Sequence, residues 1–177
     1  LAALRDAGLD AMPGGGAEVF SDRLRALHFE QKIDADTWLG VHRQAHELGI
    51  PTNATMLFGF GETPAEQIEH LLRLRETQDE SGGFVCFIPL AFQPGEGAVS
   101  QHSPAPIETL RVVAISRLIL DNIPHIKAYW PMIGLETTAA ALSWGADDLD
   151  GTVGKERIAH AAGSPTPVAL TARRMEE

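Results

Sequence analysis

Cysteine occurs once in this sequence, at Cys86, and tyrosine once, at Tyr129. A single thiol can neither close an internal disulfide nor build a multi-thiolate metal site. Its setting in "FVCFIPL" predicts a buried, unreactive thiol. Positive charge is also scarce, with 14 Lys and Arg against 24 Asp and Glu and a net charge of −10. The cations are scattered rather than gathered in a run. That argues against nucleic acid and anionic membrane surfaces as partners, because both are bound by clustered positive charge. No apolar run nears the roughly 20 residues that cross a bilayer. The opening "LAALRDAGLD" lacks the basic stretch and apolar core of a secretory signal. The expectation is a cytoplasmic chain that handles small molecules.

Two phosphate-binding loops are also missing. "PGGGAEVF" has no third glycine at the distance a dinucleotide fingerprint needs, and no Gly-Lys-Ser or Gly-Lys-Thr occurs.

What is present is a composition of 44% apolar and 21% charged residues over a length of 177, enough for one domain with a real core. Leu1, Leu4 and Ala7 share a helical face ended by Gly8. "LDAM" then reads as a strand, residues 13–16 as a turn, and Val19, Leu24 and Leu27 as a helix. Asp34 caps a helix over 35–48, whose Trp38, Val41, Ala45 and Leu48 recur at three and four before Gly49 ends it. "PTNATMLFGF" is a strand. In "TPAE", Thr63, Pro64 and Glu66 form a capping box, and Ile68, Leu71, Leu72 and Leu74 continue that helix to about residue 80. "FVCFIPLAF" is apolar without alternation, as in a strand buried on both faces. Residues 93–106 read as a loop, "IETLRVVAISRLILDN" as helix, "HIKAYW" as strand, 135–144 as helix, "GADDLDG" as a strand end and 155–162 as a closing helix. The order is strand then helix, repeated, with strands near residues 9, 52, 84, 126 and 146. No linker divides residues 1–177. Such alternation predicts an α/β fold with a parallel sheet, either an open doubly wound sheet or part of a β/α barrel.

In both architectures ligands collect at the C-terminal ends of the strands. The residues there are Gly14, Gly15, Gly16 and Glu18; Gly59, Gly61 and Glu62; Gln93; Trp130 and Pro131; and Asp147, Asp148 and Asp150. Bare backbone lets a ligand approach closely, and two successive strand ends repeat glycines followed by a glutamate. Asn53, Thr55 and Leu57 alternate onto one strand face and offer an amide, a hydroxyl and an apolar contact. His42 and His46 have the spacing of two imidazoles on one metal, yet no glutamate follows His42, and packing is the favoured reading. The aspartates read as a helix cap ahead of a cation site. A metal-dependent β/α-barrel hydrolase built on these histidines and aspartates stays open as an alternative.

Taken together, "PGGGAE", "TNATMLFGFGETPAEQIEHLLRLRETQDESGGF", "FIPLAFQP", "SRLILDNIPHIKAYW" and "GADDLDGTV" resemble the radical S-adenosylmethionine enzymes of futalosine-dependent menaquinone biosynthesis, aminofutalosine synthase above all. The resemblance covers nearly the whole chain. It implies a partial TIM-type β/α barrel, about its last five strand-helix units, with the opening triplet after the fourth barrel strand. It implies that Gly14, Gly15, Gly16 and Glu18 approach the methionyl or ribose part of S-adenosylmethionine. Thr55, Leu57, Gly59 and Glu62 belong to a second cofactor segment in which Leu57 touches adenine; Thr55 and Leu57 depart from that segment's glycine and isoleucine. The family's reaction adds the 5'-deoxyadenosyl radical to 3-[(1-carboxyvinyl)oxy]benzoate, with rearrangement and loss of carbon dioxide. Asn53, His125, Lys127 and Tyr129 are candidates by position to steer it, and Lys127 suits a carboxylate. The four-iron four-sulfur cluster of these enzymes sits on a C-x-x-x-C-x-x-C loop absent here. The expectation is therefore a C-terminal portion, inactive alone, whose partners are an N-terminal part of the same enzyme, an electron donor and the small-molecule substrate. Cyclic dehypoxanthine futalosine synthase and a deazaflavin-precursor synthase are sibling readings.

Overall fold

The chain winds four strands into one parallel sheet in the order β1-β2-β3-β4. The computed structural model describes residues 1–95, 103–153 and 157–176. The sheet comprises β1 (Thr52–Phe58), β2 (Phe84–Ala91), β3 (His125–Ala128) and β4 (Asp148–Leu149). Ahead of it come α1 (Ala2–Asp6), α2 (Asp22–His28) and α3 (Ala35–Glu47). The connections are α4 (Pro64–Ser81), α5 (Pro106–Ile119) and the pair α6 (Trp130–Ile133) and α7 (Leu135–Leu142), and α8 (Ile158–Ala161) and α9 (Ala172–Glu176) follow β4. All-parallel pairing with helical crossovers is what the alternation predicts, and the sequential strand order is consistent with the partial β/α barrel that the resemblance implies.

Local chemistry accounts for the helix ends. The Asp34 carboxylate accepts the Thr37 N–H at 2.7 Å. Thr63 Oγ1 accepts the Glu66 N–H at 3.2 Å while Glu66 Oε2 accepts the Thr63 N–H at 2.7 Å, a reciprocal box. Gly82, at φ +65°, closes α4 in the left-handed conformation that a side chain disfavours. The helix expected from Val19 begins at Asp22, because the Ser21 hydroxyl accepts the Leu24 N–H and so marks the cap. The helices α6 and α9 were not anticipated. Of the expected closing helix, residues 155–156 lie outside the described residues, as do residues 96–102 of the long loop.

The strand expected at 9–12 is present only as a lone bridge between Met12 and Thr52. Met12 donates to Pro51 O at 3.0 Å and accepts from Asn53 N–H at 3.2 Å, and then Pro13, with no N–H, ends the ladder. The segment nonetheless follows the β1 edge farther, where Leu57 N–H donates to Glu18 O at 2.8 Å. It therefore occupies the next strand position in the sheet order.

Ala54, Met56 and Phe58 point from β1 into the main core beside Phe87 and Ala91 of β2 and Ile126 and Ala128 of β3, under the helices. The opposite sheet face, with Asn53, Leu57, Ile88 and Leu90, is only half buried. No helix among the described residues is long and apolar enough to cross a membrane.

Candidate functional site

The three adjacent glycines do different work. A Cβ on Gly14 would stand 2.3 Å from Asn53 O and 2.7 Å from the Asn53 carbonyl carbon, so Gly14 is a packing glycine against β1. The Thr55 hydroxyl donates to Gly14 O at 2.5 Å. A Cβ on Gly15 or Gly16 would meet nothing within 4 Å. Their backbone borders open space, with Gly15 O held by the Trp38 indole N–H at 3.1 Å. Glu18 takes the uncommon φ of +50° and pairs with Lys32.

The second glycine loop folds onto its own glutamate. Gly59 N–H donates to Glu62 Oε1 at 2.6 Å and Phe60 N–H to Glu62 Oε2 at 3.0 Å, and the Gln67 amide adds a third bond at 2.8 Å. Gly59, at φ +92°, leaves no room for a side chain because Pro104 Cγ would lie 2.0 Å from it. Gly61 borders open space. A cavity of about 430 Å³ between α4 and α5 takes in Gly59, Gly61, Glu62, Gln67, Glu108 and Arg111, but not the glycine triplet.

Residues that the sequence reading did not single out as a site tie the second loop to α2 and α4 to β1. Arg23 donates from Nη2 to Gly61 O at 2.9 Å and pairs with Glu66 at 2.8 Å. Arg23, then Ser21 and the Thr63 amide, hold the Glu66 carboxyl well below the usual range. One turn on, His70 accepts the Phe20 N–H on Nδ1 at 3.1 Å and bonds Thr55 O through Nε2 at 3.0 Å. The available signal was the i, i+4 spacing of Glu66 and His70 on a helix already capped at Thr63.

On the half-buried sheet face, the register sets residues in rows. Asn53 pairs with Cys86 and Cys86 with His125; Thr55 pairs with Ile88 and Leu57 with Leu90; Lys127 pairs with Asp148. By alternation His125, Lys127 and Tyr129 continue one face, Tyr129 just past the strand. The Lys127 ammonium lies 3.4 Å from Asp148 and 3.5 Å from Asp150. Burial would lower its pKa, but Asp150 and Asp148 outweigh that and hold it above the ordinary lysine value. Asp147 turns the other way, accepts the Ile126 N–H at 2.8 Å and pairs with Arg117 at 2.8 Å and His125 at 3.1 Å. The aspartates thus serve β3 and Lys127, where the sequence reading favoured a helix cap. Gln93, buried, donates to Ala91 O and Met132 O at 3.1 and 3.0 Å, and the buried Trp130 donates to Gly151 O at 3.1 Å. Pro131 O accepts from Ser164 and Thr166, both at 2.7 Å.

His42 and His46 are packing residues. Thr52 Oγ1 joins His42 Nδ1 at 2.8 Å and His46 Nε2 at 2.9 Å, and His46 Nδ1 meets Ser81 Oγ at 2.6 Å, so neither His46 nitrogen is left for a metal. Burial, then His46, pushes the His42 pKa down to about 4.

An iron-sulfur cluster demands thiolates. The one thiol, Cys86, is 6% exposed, and burial pushes its pKa up to about 12. Among the described residues no three His, Cys, Asp or Glu converge as a metal site. This chain's residues do not fit the cluster. The backbone at Gly15, Gly16 and Gly61 borders open space, and Leu57 is half buried.

Known proteins share this sequence closely. It is 52% identical over 180 residues to aminodeoxyfutalosine synthase of Thermus thermophilus, covering 99% of this chain and 48% of that protein. Aminodeoxyfutalosine synthase of Streptomyces coelicolor is 43% identical over 180 residues, covering 95% of this chain and 46% of that protein. Cyclic dehypoxanthine futalosine synthase of the same organism is 41% identical over 159 residues, covering 89% and 40%. The chain thus spans about half the length of these relatives. With residues 81–176 matching the family described as CofH/MqnC C-terminal region, the chain belongs to that family.

Proposed function

We propose that this chain forms the cofactor-facing and substrate-facing wall of a radical S-adenosylmethionine enzyme, an aminodeoxyfutalosine synthase of menaquinone biosynthesis. The observation that supports it best is identity of 52% along 99% of the chain with a protein of that name. Gly59 and Gly61 lie just past the C-terminal end of β1, where a parallel α/β sheet binds ligands, while the triplet runs along the β1 edge from Asn53. Gly15 and Gly16, with Glu18 beside them, face the methionyl or ribose part. Leu57, Gly59 and Glu62 contribute the adenine side, and Thr55 acts through Gly14. S-adenosylmethionine, when bound, supplies the adenosyl group that is joined to the substrate.

On the open sheet face Asn53, Lys127 and Tyr129 orient the aryl enol ether carboxylate. Lys127 is already flanked by Asp148 and Asp150, so the three groups together carry net negative charge. Lys127 therefore offers the substrate carboxylate one shared ammonium, and Asn53 and Tyr129 supply neutral hydrogen bonds.

The test is an anaerobic assay of the full-length gene product, reconstituted with iron and sulfide, with S-adenosylmethionine and 3-[(1-carboxyvinyl)oxy]benzoate. Formation of aminodeoxyfutalosine is expected. No adduct, or turnover only of dehypoxanthine futalosine, would overturn the reading in favour of the sibling enzyme or another class.

A further inference from the structure

We propose that His70 is a positioning residue for the adenosyl end of the site: a neutral imidazole, protonated on Nε2, that sets the height of the glycine turn along β1. The inference rests on the adenosyl reading of the glycine loops given above.

The hydrogen bonds fix the tautomer. Phe20 has only an N–H to give, so Nδ1, 3.1 Å away, must accept and carry no proton. Thr55 O can only accept, so Nε2, 3.0 Å away, must carry one. The other neutral tautomer loses both bonds, and the imidazolium loses the Phe20 bond.

The two bonds join elements distant in sequence. Asn53 and Leu57 send their amides to the Met12 and Glu18 carbonyls, so alternate residues of β1 direct their polar groups to the edge away from β2. Thr55 O belongs to that set, and its donor there is a helix side chain. Thr55 is thus held at its carbonyl by His70 and at its hydroxyl by Gly14 O. His70 grips the other end of the turn at Phe20, whose ring stacks on the imidazole with centroids 4.0 Å apart.

The ring is fully buried. Around it stand Arg73 and Glu66 on α4, the first paired with Asp36 of α3 and the second with Arg23 of α2; β1 faces it with uncharged Thr55. Burial, opposed by the Thr55 bond and aided by Arg73, pushes its pKa down to about 3, which agrees with a permanently neutral ring.

The experiment uses the full-length protein. Nitrogen-15 spectra of labelled histidine should show His70 neutral with the proton on Nε2 from pH 7 down to 5. The opposite tautomer, or an imidazolium at pH 6, would overturn the proposal. In His70→Phe, amide exchange at residues 14–20 should accelerate and the Kd for S-adenosylmethionine rise about tenfold, the scale of losing a buried bond. A folded His70→Phe protein that binds S-adenosylmethionine as the wild type does would also overturn it. If wild-type protein binds no S-adenosylmethionine, the adenosyl reading fails, and the role assigned to His70 fails with it whatever its tautomer.

Discussion

The Thr55 hydroxyl donates to the Gly14 carbonyl at 2.5 Å, so a strand side chain and a loop backbone group lock each other in place. Both residues are buried. Thr55→Val keeps the shape and removes the donor, leaving a buried carbonyl without its partner at a cost of about 1–3 kcal/mol. Thr55→Ser keeps the bond. Urea unfolding of the two variants should separate them by that amount, and equal midpoints would show that the bond contributes nothing.

Neighbouring glycines should respond oppositely to alanine. Gly14→Ala drives a methyl into the Asn53 carbonyl, 2.3 Å away, and the backbone there cannot yield cheaply. A loss of about 1–3 kcal/mol or more is expected from such overpacking. Gly15→Ala meets open space and should stay within about 0.5 kcal/mol of wild type. The same Gly15→Ala protein should bind S-adenosylmethionine more weakly, which isothermal titration will detect. Unchanged binding would remove Gly15 from the cofactor site.

Acid should weaken the fold well before any carboxylate is protonated. In the unfolded chain His42 and His70 take up protons near pH 6.5, whereas in the folded chain they do so only near 4 and near 3. The unfolded state binds more protons throughout that window, so stability is full above about pH 6.5 and falls as pH drops through it. Each histidine contributes up to about 1.4 kcal/mol per pH unit. Chemical unfolding at pH 7, 6 and 5 measures the slope, and His42→Gln should reduce it, with His70 and His46, whose pKa burial also lowers, carrying the remainder.

Lys127 and its two carboxylates should behave as a coupled unit. Lys127→Met leaves Asp148 and Asp150 facing each other, so it should destabilise more than the triple change that also makes both aspartates asparagine. With partly exposed groups the coupling is expected near 1 kcal/mol. A mutant cycle read by thermal unfolding measures it, and additivity would show that Lys127 interacts with neither.

Features written in adjacent residues were legible in the sequence. The Thr63–Glu66 box, the Asp34 cap and the strand at "FVCFIPLA" each depend on neighbours within one turn or one strand, though that strand is not buried on both faces, with Val85 exposed and Ile88 and Leu90 half buried. Asn53, Thr55 and Leu57 alternate with the core residues Ala54, Met56 and Phe58 along β1, as their spacing predicts, with Asn53 and Leu57 half buried and Thr55 buried. The first expected strand failed as a ladder because Pro13 withdraws a donor that an apolar count ignores. His70 escaped notice because its partners lie 50 and 15 residues away, and no local pattern encodes a bond between a ring nitrogen and a distant peptide group. The glycine triplet reads as one unit, yet only contact with the Asn53 carbonyl separates the packing glycine from those beside open space.

The solitary thiol has a practical corollary. Because Cys86 lies on β2 between β1 and β3 and is 6% exposed, a colorimetric thiol reagent reaches it only when the sheet itself opens. This chain therefore contains its own single-event recorder of global opening, one whose labelling rate needs no introduced probe to be read.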